Sequence, residues 1–169
     1  MEQNLEHKTE LKDRLIEFYK RNKIKVFSLV ILILFLIATI IVVNVNYKKK
    51  NSIIGEKYIE AGLYLASGKK NKTTQLYEEI IFSKNKFYSI LALNNMLENN
   101  LQTNENKILN YFETVENLKI SKEQKQILLF KKALYLIKIS KIQEGNNLLS
   151  EIIESKSNLS PLAKEILDK

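Results

Sequence analysis

Apolar residues are distributed in two ways along this chain. Residues 26–43 read VFSLVILILFLIATIIVV, in which fifteen of eighteen positions are Ile, Leu, Val or Phe and none is charged. From Ser52 onward the apolar positions recur with helical spacing instead. Ile54, Tyr58, Ala61, Leu65 and Gly68 are separated by 4, 3, 4 and 3 residues, which makes one face of a helix ending near Gly68. Lys69-Lys70-Asn71 predicts a tight turn. A second helix carries Tyr77, Ile80 and Ile81 inward, and Ser83-Lys84-Asn85 breaks it. A third helix, from about Phe87 to Glu98, presents Tyr88, Leu91, Ala92 and Met96. A loop marked by Asn99-Asn100 and Thr103-Asn104 leads to a fourth with Ile108, Leu109, Phe112 and Val115.

Ser121-Lys122-Glu123-Gln124 fits a capping box, so a long fifth helix is predicted from there to about Ile139. Ile142, Leu149, Ile152 and Ile153 belong to a sixth. Ser160-Pro161 reads as an N-cap with proline at the first helical position, and the short last helix shows Leu159, Leu162, Ala163, Ile166 and Leu167. The hairpins repeat. Ala61, Tyr64, Gly68, Thr73, Tyr77 and Ile80 fall on Ala133, Leu136, Ser140, Gly145, Leu149 and Ile152 at a constant offset of 72 residues. Ala92 takes the Ala61 position in the middle hairpin, whose connection is longer. A period near 34 residues, with small residues where paired helices cross, is the tetratricopeptide pattern.

The apolar run is of another kind. At helical rise it spans roughly 27 Å, close to a bilayer's hydrocarbon thickness. Its summed insertion free energy is roughly −5 to −9 kcal/mol, with no charge opposing it. A buried soluble helix would need a core around all its faces, more than a domain of this size provides. A cleaved signal peptide would have a shorter core followed by a small-x-small site. Here Asn44-Val45-Asn46-Tyr47-Lys48-Lys49-Lys50 follows, so the segment is expected to stay as an anchor, with Tyr47 at headgroup level. The expected organisation is a basic amphipathic tail (1–23), a transmembrane helix (24–45), a basic link (46–52) and a helical domain (53–169). Leu11, Leu15, Phe18 and Tyr19 share one side of the tail, which suits the membrane surface. Residues 6–25 hold seven Lys/Arg and residues 45–64 hold four, a bias that places the N-terminus in the cytoplasm.

Composition narrows the chemistry. There is one proline, four glycines and no cysteine, which disfavours an all-β or doubly wound fold and removes thiolate chemistry. The formal net charge of +8 could point to nucleic acid or anionic lipid. However, the basic residues are almost all Lys and scattered over every helix, and the chain holds 18 Asn and 22 Ile, a bias expected of AT-rich coding. No phosphate loop, HExxH, Cys/His cluster or Gly-x-Ser-x-Gly occurs. His7 stands alone, and Glu78–Glu79 reads as solvated surface. No catalytic, cofactor or metal residues are expected, and the chain reads as non-enzymatic.

The charged tail, the single span with its basic link, YEEIIFSKNKFYSILALNNML (77–97) and ILLFKKALYLIKIS (127–140) together resemble a known family. It is the bacterial membrane-anchored tetratricopeptide-like proteins that include the ancillary subunit of the SecYEG translocon. The resemblance lies in layout, and this chain is poorer in alanine and richer in Lys, Asn and Ile. It implies an inner-membrane protein with a periplasmic array of about three helix hairpins and a final short helix. It also implies contact with translocon subunits and periplasmic chaperones. In such arrays the first helix of each hairpin lines a concave surface, which would place Tyr58, Leu65, Phe130, Leu134, Ile137 and Lys138 there as partner-binding residues. Scaffolding of cell-division or outer-membrane assembly machinery is the alternative, and a basic domain for anionic lipid or nucleic acid a weaker one.

Overall fold

A computed structural model describes residue 14 and residues 16–168. His7, Leu11 and Leu15 lie outside the described residues. Among the described residues there are helices and turns and no strand. Residues 16–21 are helical. The elements that follow are α1 (Lys23–Ala66), α2 (Lys70–Phe82), α3 (Tyr88–Glu98), α4 (Glu105–Glu116), α5 (Lys122–Lys138), α6 (Ile142–Glu154) and α7 (Ser160–Leu167). They belong to two compact units, one ending at Lys50 and one beginning at Asn51.

α1 has residues in both units; it is long and apolar enough to cross a membrane, and residues 27–50 are exposed throughout. α1 differs from the expectation in one respect: residues 46–52, read as a link, are helical. They contain neither Gly nor Pro, and lysine is a good helix former, so nothing there stops propagation. Gly55 does not break the helix either. A Cβ at that position would lie 2.7 Å from the Tyr88 hydroxyl, so the missing side chain admits the tyrosine.

The second unit is a succession of helix hairpins. α2 packs on α3 and α4, α5 on α4 and most extensively on α6, and α6 on α7. One core cluster holds Ala61, Tyr77, Ile80, Ile81, Ala92, Leu93, Met96, Tyr111, Phe112 and Val115. A second holds Leu129, Ala133, Leu149, Ile152 and Ala163. Most of these positions follow from the helical spacing. Leu93 and Tyr111 are buried although the spacing did not single them out, while Leu91 and Leu109 are only half-buried.

The 72-residue offset extends to the backbone. α2 and α6 both have 13 residues and begin and end at equivalent positions. Gly68 and Ser140 both adopt the left-handed conformation, with φ of 71° and 65°. After Gly68, the Lys69 amide donates to the Tyr64 carbonyl (2.9 Å) and that of Gly68 to Leu65 (3.0 Å). After Ser140, Lys141 donates to Leu136 (2.9 Å) and Ser140 to Ile137 (3.0 Å). This paired 6→1 and 5→2 pattern satisfies the orphan carbonyls of a helix end. Asn100 ends α3 in the same way, with Leu101 donating to Met96 at 3.0 Å and Asn100 to Leu97 at 3.2 Å. The next turn repeats as well: Lys84 and Lys156 have φ of 57° and 52°, and the hydroxyls of Ser83 and Ser155 donate to Ile80 and Ile152 at 2.6 and 2.7 Å.

Two capping expectations separate here. The Ser121 capping box is present: the Gln124 amide donates to Ser121 Oγ (3.2 Å), and the Ser121 amide to Gln124 Oε1 (3.1 Å). Ser160, however, is not the N-cap of α7. Leu159 takes that position with no side-chain bond, and Pro161 sits in the first turn. The Ser160 hydroxyl instead donates to the Ile152 carbonyl (3.0 Å), satisfying an acceptor at the end of α6. Ser89, which is fully buried, does the same at the end of α2, donating to Ile80 (2.9 Å) and Ile81 (3.1 Å).

Candidate functional site

α5 presents Lys131, Leu134, Tyr135, Lys138 and Ile139 along one side, at spacings of 3, 1, 3 and 1. Opposite them stand Met96, Leu97 and Glu98 at the end of α3, and the loop that carries Asn100, Gln102 and Thr103 into α4. Between these walls lies an open groove of about 510 Å³. The loop is shaped by local bonds. Gln102 Oε1 accepts from the Thr103 and Asn104 amides (3.1 and 3.0 Å), and Asn104 Oδ1 caps α4 by accepting from Lys107 (3.1 Å).

The groove is apolar along its middle and polar along its rim. Leu134 remains 40 % exposed. Lys131 Nζ donates to Asn94 Oδ1 (2.8 Å) and stands 3.7 Å from Glu98. Lys138 Nζ donates to Asn100 Oδ1 (3.2 Å). Asn100 orders the Lys138 ammonium without neutralising it, whereas Lys131 is also paired with Glu98. Glu98 and Glu105 supply two carboxylates on the opposite rim, so the groove has a basic wall and an acidic one. Tyr135 packs at 5.9 Å from the Phe112 ring. Burial, with a smaller effect from Glu105, raises its phenol pKa. A phenol with a raised pKa is neutral around pH 7.

Of the six residues expected to face a partner, Leu134 and Lys138 line this groove. Tyr58 is half-buried against the first core cluster, its hydroxyl accepting from Asn95 Nδ2 (2.8 Å), with the Tyr77 and Tyr88 rings 5.8 and 5.6 Å away. It braces α1 against α3. Phe130 and Ile137 pack against the second cluster, and Ile137 lies over Gly145. Leu65 is half-buried on α1 and is not among the groove residues. The structure therefore brings two of the six together and leaves four elsewhere. Lys131, Tyr135 and Ile139 were missed. Their signal was the spacing on α5, but the facing wall comes from a loop whose path no periodicity describes.

Glu78 and Glu79 point to different neighbours: Glu79 pairs with Lys57 (2.6 Å) and Glu78 stands 3.7 Å from Lys107. Among the described residues, no three His, Cys, Asp or Glu side chains gather as a metal site. No family model matches the chain, and neither a curated protein nor a solved structure shows significant similarity to it.

Proposed function

We propose that this chain is a membrane-tethered, non-enzymatic protein-interaction module whose α3–α5 groove receives a segment of a partner protein. The observation that carries the reading is the open, apolar-floored groove on a chain that also holds one helix suited to crossing a membrane. The recurrence of helix ends at an offset of 72 residues supports a tetratricopeptide-like array, in which such grooves take extended or helical peptides. Tethering by one span raises the local concentration, so a weak groove suffices. In its specific form, the reading places the N-terminus in the cytoplasm of a bacterium and the helical domain in the periplasm. The partners are then translocon subunits and periplasmic chaperones that handle exported proteins. A scaffold for division or outer-membrane assembly keeps the same groove and changes the client.

Photo-crosslinking from Leu134 in intact membranes tests both levels. Adducts with translocon or chaperone components are expected at Leu134 and absent at Lys125, an exposed position on the same helix. Adducts with assembly or division proteins would replace the specific client. No adduct at Leu134 would remove the groove itself. A protease-accessible tag after Lys169 tests the orientation: a tag protected on the cytoplasmic side overturns it.

A further inference from the structure

The α3–α5 groove carries side chains that the register of the fold does not require. Shifted back by 72 residues, its α5 wall falls on α1: Lys131, Leu134, Tyr135 and Lys138 take the places of Ile59, Gly62, Leu63 and Ala66. With those residues α1 still forms a helix, buries the equivalent alanine and ends on the equivalent left-handed residue. The two lysines, and the leucine between them, are therefore particular to the groove. At helical rise the lysines stand about 10 Å apart along α5.

Their ammonium groups are held differently. Lys131 has both Asn94 (2.8 Å) and Glu98 (3.7 Å). Lys138 is exposed and donates to Asn100 Oδ1 (3.2 Å), and none of the ion pairs among the described residues includes it. It lies in the last turn of α5, where the helix dipole favours a cation, just as Glu105 lies in the first turn of α4, where a carboxylate is favoured. The dipole accounts for a lysine at this position, and Asn100 on the facing loop draws it across the groove. A neutral amide positions the ammonium and leaves its charge to an incoming carboxylate.

The walls select the shape of the occupant. α3 and α5 are helices, whose main-chain groups are taken by their own turns. The side-chain oxygens of Asn94, Asn100 and Gln102 are spent on the two lysines and on the loop amides. An extended segment binds by pairing its main chain with a strand edge, and no strand is present among the described residues. A helix satisfies its own main chain and needs only an apolar stripe to lie on.

We propose that the groove binds an amphipathic α-helix of the partner, about three turns long, which lays its apolar stripe on Leu134, Tyr135 and Ile139 and brings a carboxylate to Lys138. This rests on the reading of the groove as a docking site.

The probe is a phage-displayed library of random segments about 15 residues long, selected on the full-length protein in lipid nanodiscs. The segments of interest bind the parent protein and are lost with Leu134→Lys. Their sequences are expected to show apolar residues spaced by three and four, with Asp or Glu beside the stripe. The affinity of such a segment should fall about fivefold with Lys138→Glu and return when its acid is changed to lysine. Leu134 and Lys138 are both exposed, so both variants should keep the circular dichroism of the parent. Leu134-dependent segments that are indifferent to the charge at position 138 overturn the carboxylate and leave the groove intact. Apolar residues in strict alternation overturn the helix, since that spacing belongs to an extended segment. If no segment is sensitive to Leu134→Lys, the groove reading falls and this inference with it. A dimer of the protein alone that Leu134→Lys dissociates shows a second copy in the groove, and overturns the separate partner.

Discussion

The hairpin of α1 and α2 and that of α5 and α6 solve one backbone problem with different side chains. Both turn on a left-handed residue, both repeat the same pair of amide–carbonyl bonds, and both bury an alanine at the crossing, Ala61 and Ala133. The core around them differs. The first adds tyrosines to its aliphatic residues: the Tyr58 ring lies 5.8 Å from that of Tyr77 and 5.6 Å from that of Tyr88, and Tyr111 of the same cluster is fully buried. The last is aliphatic, with Leu129, Leu149 and Ile152. Helix-end geometry is dictated by backbone hydrogen bonding and admits few solutions, whereas a core admits any set of side chains that fills it.

The sharpest contrast concerns the small residue opposite each alanine, and it gives the largest expected effect. The first hairpin has Thr73, fully buried, with its hydroxyl donating to the Lys69 carbonyl (3.2 Å). The last has Gly145. A Cβ there would fall 2.6 Å from Ile137 Cγ1 and 2.8 Å from the Ala133 carbonyl oxygen. The carbonyl is backbone and cannot yield without moving α5. Gly145→Ala should destabilise by about 2–3 kcal/mol, outweighing the roughly 1 kcal/mol that alanine brings to a helix. Gly62→Ala is the control: no atom stands within 4 Å of its Cβ, so it should stabilise by about 0.5–1 kcal/mol. Urea denaturation of the full chain in detergent reads both. Matching signs would mean that the close α5–α6 crossing is not what Gly145 provides.

The tyrosine core should also make the two ends respond differently to alkali. Burial pushes the Tyr111 phenol up to about 12, with Glu78 reinforcing it, while the Gln102 amide, which donates to its oxygen at 3.5 Å, opposes. Tyr77 shifts the same way, through burial first and Tyr58 second. A phenol whose folded pKa lies above its unfolded value favours folding fully below the unfolded value. That contribution is lost as pH rises from about 10 through the folded value of about 12. A two-unit shift corresponds to roughly 2–3 kcal/mol for Tyr111. Tyr111→Phe should flatten this loss between about pH 10 and 12. An unchanged slope would show that Tyr111 does not titrate through folding.

These pairs show what the sequence made legible. Helical period located every helix of the second unit, because an apolar face must be buried whatever the partner. The offset of Gly68 with Ser140 and Thr73 with Gly145 was visible because crossings and turns restrict residue choice. The groove was only half visible. Leu134 and Lys138 were read from α5, but Tyr58 and Phe130 were placed on the same surface by analogy and are packed elsewhere. An inward helical face and a groove-facing one share the same period, and only the path of the 99–104 loop separates them. Ser160 was misread for a related reason. A serine before proline fits an N-cap, but its hydroxyl found a nearer acceptor across the turn.

The smallest effect tests the turn residues themselves. Gly68 and Ser140 hold nearly the same φ, 71° and 65°, with equivalent backbone bonds. Serine in this conformation is strained by about 1–2 kcal/mol, partly offset by the greater freedom glycine has in the unfolded chain, about 0.5–1 kcal/mol. Gly68→Ser should therefore cost about 0.5–1 kcal/mol, and Ser140→Gly should gain about as much. The double exchange, which moves glycine from one hairpin to the other, should be neutral within the additivity expected of distant sites, about 0.5 kcal/mol. Denaturation midpoints of the three variants decide it. If both single changes destabilise, Ser140 is held by something beyond the shared backbone pattern, and the two turns are alike in shape only.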